Sequence, residues 1–119
     1  MLSPMRLWLA VAAVNGALAV AAGAFGAHGL QDQLTPRMLD VFETGARYQM
    51  YHALAMGLAA MAGARSAAIL FLCGIALFSG SLYLLALSGT GWLGAVTPLG
   101  GVFFLAGWIC LAVSALRRA

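Results

Sequence analysis

Apolar residues run along this chain in four long stretches with little periodicity inside them. The stretches cover about residues 7–27, 45–64, 66–88 and 92–116. A membrane-crossing helix needs roughly 20 apolar residues to traverse about 30 Å of hydrocarbon, so each stretch reads as a transmembrane span. Only Asn15 interrupts the first. The second carries Arg47, Gln49 and His52 in its opening turns. The links Ala64-Arg65 and Gly89-Thr90-Gly91 are too short for anything except antiparallel neighbours. The expected fold is therefore all-α, an antiparallel four-helix transmembrane bundle forming a single domain.

The long connection, Leu30 to Thr44, has a different pattern. Thr35 suits an N-cap and Pro36 the first helical position. From there Arg37, Asp40, Glu43 and Arg47 recur every three or four residues, with Met38, Leu39, Val41 and Phe42 opposite. This predicts a short amphipathic helix over about 36–44, lying in the interface or extending the second span, with a bend at Gly45. Glu43 and Arg47 stand four apart in the favourable order for an ion pair.

Composition agrees with the pattern. Of 119 residues, 64% are hydrophobic and 8% charged, with a mean hydropathy of +0.99. That excludes disorder and most soluble classes. Arg6 and the small residues Ala22 and Ala24 also fit a signal peptide, but the apolar run between them is long for one and reads as a retained span. The net charge of +3 comes from six scattered arginines with no lysine, which is no nucleic-acid footprint. Arg6, Arg65, Arg117 and Arg118 fall at one end of the expected bundle, and Arg37 and Arg47 at the other with all three acids, Asp32, Asp40 and Glu43. The excess predicts an inner (plasma) membrane protein with both termini cytoplasmic. Cys73 and Cys110 sit in apolar runs without metal-ligand spacing and read as small buried residues.

Small residues recur on helix faces: Ala12, Gly16, Ala19, Gly23 and Gly26 in the first span, Ala53, Gly57 and Ala60 in the second, Gly100, Gly107 and Ser114 in the fourth. They predict close packing, within the bundle or in a homo-oligomer. Counting depth at about 1.5 Å per residue puts His52, Ser79, Ser81 and Thr97 at one level. Tyr48, Tyr51 and Tyr83 lie at or above it, and Pro98 is expected to leave the Gly94 carbonyl free. Asn15 is the main polar group of the inner half. Such a layer is either mutually satisfied or a small pocket for a lipid headgroup, quinone or other amphiphile. His28 and His52 allow a haem or quinone redox reading, weakened because His28 ends its helix about two turns above His52. No nucleophile elbow, phosphate loop or HExxH motif is present. No cofactor, metal or catalytic residue is assigned.

Four segments, GAFGAHGL (Gly23 to Leu30), TGARYQMYHALA (Thr44 to Ala55), LFSGSLYLLALSG (Leu77 to Gly89) and TPLGGVFFLAGW (Thr97 to Trp108), occur in an order that resembles the YgdD-like family of small bacterial inner-membrane proteins. That family is a domain of unknown function with small transmembrane relatives in eukaryotes. The resemblance implies a four-span membrane protein and no activity. Its motifs contain the candidate polar layer: His28, Tyr48, Gln49, His52, Ser79, Ser81, Tyr83 and Thr97. The expected function is non-enzymatic binding of a lipid-like molecule or of a larger membrane complex. The alternative is a small oligomeric transporter or channel, against which stands the lack of any acid within a span.

Overall fold

The computed structural model describes residues 2–118, with only the backbone of Arg118. All regular structure in it is helical. Helix α1 is Pro4–His28 and α2 is Pro36–Met61. Helix α3, Arg65–Gly74, passes through a π-helical segment, Ile75–Ser79, into α4, Gly80–Ser88. A 3₁₀ turn, Gly91–Ala95, precedes α5, Thr97–Arg118. The result is four long helical rods in an envelope of 50 × 27 × 21 Å.

The predicted starts hold. Ser3 caps α1 by accepting from the Arg6 N–H, and Thr35 caps α2 by accepting from the Met38 N–H, each with proline in the first turn. Both tight links carry a glycine at positive φ, Gly63 and Gly89, which is the backbone such short reversals require.

Three expectations change. The segment 36–44 is no separate interfacial helix. It is the first part of α2, which runs unbroken through Gly45. Gly45 does not bend the helix. A Cβ there would meet the Tyr83 ring at 2.9 Å, and its carbonyl accepts a 2.7 Å hydrogen bond from Ser79 Oγ. It is where the Ile75–Ser88 region closes on α2. Pro98 is not mid-helix either. It lies in the first turn of α5, where a missing N–H costs nothing.

Three stretches are long and apolar enough to cross a membrane: Pro4–His28, Arg65–Ser88 and Gly91–Arg117. The fourth rod, α2, is long but more polar. It nonetheless buries Ala53, Ala55, Met56, Ala59 and Ala60. Of these, Ala55, Met56 and Ala59 join Ala12, Ala64, Ala67, Ala68, Phe71, Ile75 and Phe104 in one cluster, against which Cys110 also packs. Cys73, like Cys110, is a partly exposed free thiol. A smaller cluster of Leu30, Phe42 and Ala86 holds the connection against α2 and α4. The outer surface is apolar on every rod, for example Val14, Leu18, Leu54, Leu58, Leu84, Val102 and Ile109.

The small-residue faces divide into two kinds. A Cβ on Gly107 would lie 2.6 Å from the Phe71 ring, and one on Gly26 2.9 Å from Phe42. Gly74 and Gly100 face Phe104 and the Phe78 backbone too closely for any side chain. Gly16, Gly23 and Gly57, in contrast, have nothing within 4 Å of a Cβ. Their faces are open within the chain, so close packing inside the bundle is not found there. Gly107→Leu should therefore lower stability by about 1–3 kcal/mol through overpacking, whereas Gly16→Leu should melt at or above the parent temperature. Thermal unfolding of both variants in mild detergent checks this; equal melts would mean that α5 does not rest on Phe71.

Candidate functional site

The candidate polar layer resolves into separate clusters. In the first, Gln49 sits at the centre of α2 and is 5% exposed. Its Nε2 donates to Asn15 Oδ1 of α1 at 3.2 Å, and its Oε1 accepts from the Tyr83 hydroxyl of α4 at 2.7 Å. Asn15 Nδ2 donates to its own helix at the Val11 carbonyl, 3.0 Å away. One amide thus ties three rods together. Asn15 therefore shares a level with Gln49 and does not belong to a separate inner half, where the depth count puts it.

The second cluster is built on His52, one turn deeper in α2 and also 5% exposed. Its Nδ1 lies 2.8 Å from the Tyr48 carbonyl oxygen. A carbonyl only accepts, so Nδ1 carries the proton. Nε2 then offers its lone pair, and Trp108 Nε1–H of α5 donates to it at 3.1 Å. The two bonds define one neutral tautomer. The ring is stacked on Phe104, 3.5 Å between centroids and 5° from parallel, and lies 5.6 Å from Phe71. Tyr48 continues the aromatic wall, 4.8 Å from Phe78.

The remaining residues pair near the upper ends. Ser81 and Thr97 hydroxyls lie 2.6 Å apart, joining α4 to α5, and Ser81 also donates to the Phe78 carbonyl. Ser79 donates to Gly45, as described. None of the three touches His52. The depth count fails because α2 begins at Pro36 rather than near Gly45 and α5 begins only at Thr97, so Trp108 rather than Thr97 reaches His52. His28 is exposed at the end of α1 and belongs to none of these clusters. Arg37, Asp40, Glu43 and Arg47 form an exposed stripe on α2, with Arg47 Nη2 3.1 Å from Glu43 Oε1.

Among the described residues no buried side-chain nitrogen or oxygen lacks a partner. They contain no group of three metal-ligating side chains. Beside His52 the surface is concave. A groove of about 470 Å³ runs between α2 and α5, walled by Tyr48, Phe78, Phe104, Trp108, Val102 and Leu105, with Pro98 and Gly101 at its edge. Its walls offer carbon almost throughout, since the imidazole and indole N–H groups are engaged with each other and with Tyr48. Such a surface can hold an apolar chain or ring. It presents no free acid, base or nucleophile.

The sequence reading missed Trp108 and Phe104. A tryptophan inside an apolar run must place its N–H on an acceptor, and that rule would have pointed from Trp108 to the histidine. Removing the central amide tests the first cluster. Gln49→Leu strands Asn15 Oδ1 and the Tyr83 hydroxyl and should cost about 1–3 kcal/mol. The triple variant Asn15→Leu, Gln49→Leu, Tyr83→Phe should recover most of it, because no partner is left stranded. A double-mutant cycle on Gln49 and Tyr83 should give a coupling of about 0.6–1.7 kcal/mol, the range seen for hydrogen bonds between membrane helices.

Residues 22–101 match a family described as "Protein of unknown function (DUF423)". A Bacillus subtilis relative, the UPF0382 membrane protein YwdK, is 42% identical over 121 residues, covering 95% of this chain and 98% of its own. A UPF0382 membrane protein of Haemophilus influenzae is 40% identical over 116 residues, covering 92% and 94%. Another from Staphylococcus epidermidis is 42% identical over 121 residues, covering 97% and 99%. No solved structure matches this chain. With its helices, its apolar outer surface and its full-length similarity to these relatives, the chain belongs to the DUF423 family of membrane proteins of unknown function.

Proposed function

We propose that the chain is a non-enzymatic, four-span protein of the inner membrane that holds the apolar part of a lipid-like amphiphile in the groove between α2 and α5. One contrast carries this reading. The interior polar groups are consumed by one another, while the roughly 470 Å³ groove beside them is a preformed, aromatic, apolar recess. Rigid aromatic walls give contact area without ordering flexible side chains, which suits a long apolar ligand.

The four rods are read as an antiparallel transmembrane bundle. The Asn15–Gln49 bond and the approach of Gly26 to Phe42 support opposite directions for α1 and α2. Helix α2 counts as a span although it is the least apolar, because Gln49 and His52 point inward while Leu54, Leu58 and Met61 face out. The arginine asymmetry supports cytoplasmic termini. A redox role through paired histidines loses support, since both His52 nitrogens are engaged. His28 lies at the far end of α1, roughly 20 Å up the axis by helical rise.

Gly101 supplies the test of the groove. It lines the recess and has nothing within 4 Å of a Cβ, so Gly101→Leu fills the groove without replacing any residue of the His52 cluster. Native mass spectrometry from mild detergent should show a co-purifying apolar species on the parent and its loss on this variant, with the melting temperature unchanged or higher. Equal bound species on both proteins would refute the groove. Orientation is tested with single cysteines at Asp32 and Ser66 in a background lacking Cys73 and Cys110. An impermeant thiol reagent applied to intact cells should label the first and spare the second; the opposite pattern reverses the topology.

A further inference from the structure

At the other end of the molecule, a cavity of about 490 Å³ opens where the turn after α2 leads into α3 and the last turns of α5 pass beside it. Its rim holds the guanidinium groups of Arg65 and Arg117 and the hydroxyls of Ser66 and Ser114. Below them the lining turns apolar, with Cys110 and Val113. Among the described residues neither arginine has a carboxylate partner. The salt bridge found among the described residues is Glu43–Arg47, and Asp32, Asp40 and Glu43 all lie at the opposite end. Two positive charges thus share a concave site, with no carboxylate side chain in its lining.

The backbone adds to that field. Ser3 and Thr35 cap α1 and α2, but α3 begins after Ala64, which has no side chain to accept from the first turn. Its N–H donors and the positive end of the helix dipole therefore lie at the cavity that Arg65 and Ser66 line. The apolar floor leads outward to exposed side chains. Val113 is itself 42% exposed, and Ile109, one turn along α5, is 65% exposed.

We propose that this cavity binds the phosphate of an anionic phospholipid, with the acyl chains descending over Val113 and Ile109. Guanidinium groups match phosphate oxygens in a planar fork, and basic recesses between membrane helices suit lipid headgroups. A free phosphate would meet the same donors but leave the apolar floor uncovered, and the floor is what assigns the lipid. The site is separate from the α2/α5 groove. It takes from the membrane reading only the source of its ligand, and orientation does not enter.

The full chain in mild detergent is titrated with phosphatidylglycerol, with phosphatidylcholine and with inorganic phosphate, and bound species are counted by native mass spectrometry. One phosphatidylglycerol should be held at concentrations where phosphatidylcholine is not. Arg65→Gln and Arg117→Gln should each weaken it roughly five-fold, and together roughly 25-fold. Arg37→Gln with Arg47→Gln, at the other end, should leave it unchanged. Ser114→Phe fills the cavity while keeping both charges and should also abolish the complex, so the test survives if the double arginine variant fails to fold. The Gly101→Leu variant should bind phosphatidylglycerol normally, whatever becomes of its groove. Equal binding of the two lipids, equal loss on the Arg37/Arg47 variant, or retention by Ser114→Phe would overturn the site. Displacement of the lipid by inorganic phosphate at comparable concentration would assign the cavity to a free anion instead.

Discussion

A polar side chain in hydrocarbon has no water to bond with, so it must be satisfied from within the protein. That constraint organises this molecule around α2. The helix is the least apolar of the four rods, and Gln49 and His52, its central polar side chains, are both buried. Gln49 and His52 can enter an apolar phase only if partners surround them. Asn15 from α1, Tyr83 from α4 and Trp108 from α5 supply those partners. Each neighbouring rod is tied to α2 by at least one polar contact, which defines register more sharply than alanine packing alone.

Close approach does the rest. Flat aromatic rings lie where glycines leave room: Phe71 against Gly107, Phe104 against Gly74, Phe42 against Gly26. The π segment Ile75–Ser79 falls where this crowding is greatest. Its Ser79 reaches the Gly45 carbonyl on one side, and its Phe78 backbone abuts Gly100 on the other. Lipid gives helices no hydrophobic reason to associate, so these contacts and the hydrogen bonds carry the association.

How much of this was legible in the sequence depends on whether a local rule applied. Thr35 and Pro36 announce the start of α2 because capping needs only adjacent residues, and Glu43–Arg47 follows from helical spacing alone. Gly63 and Gly89 mark the reversals. The failures are positional. Depth counting assumes that each helix begins where its apolar run begins, but α2 begins at Pro36, well before its run, and α5 only at Thr97, after the 3₁₀ turn at 91–95. The layer of His52 with Thr97 therefore dissolves, and Trp108 takes the place beside the histidine. A small-residue stripe says that a face can pack, not that it does. Gly107 and Gly16 look alike in sequence, and only Phe71 distinguishes them.

The same constraint bears on what the protein can do. A transport pathway needs polar groups that exchange partners as a substrate passes, and a catalytic site needs a group free to act. Here His52 donates to Tyr48 and accepts from Trp108 in one tautomer. Protonation would turn Nε2 from acceptor to donor and set it against the indole N–H. Gln49 likewise uses both ends of its amide, and no carboxylate lies among these groups. An interior committed in this way favours a single rigid arrangement. What it leaves available is its outer relief, an aromatic recess beside His52 and an arginine-rimmed cavity at the far end. The proposed ligands draw on these two shapes, an apolar chain for the first and an anionic head for the second.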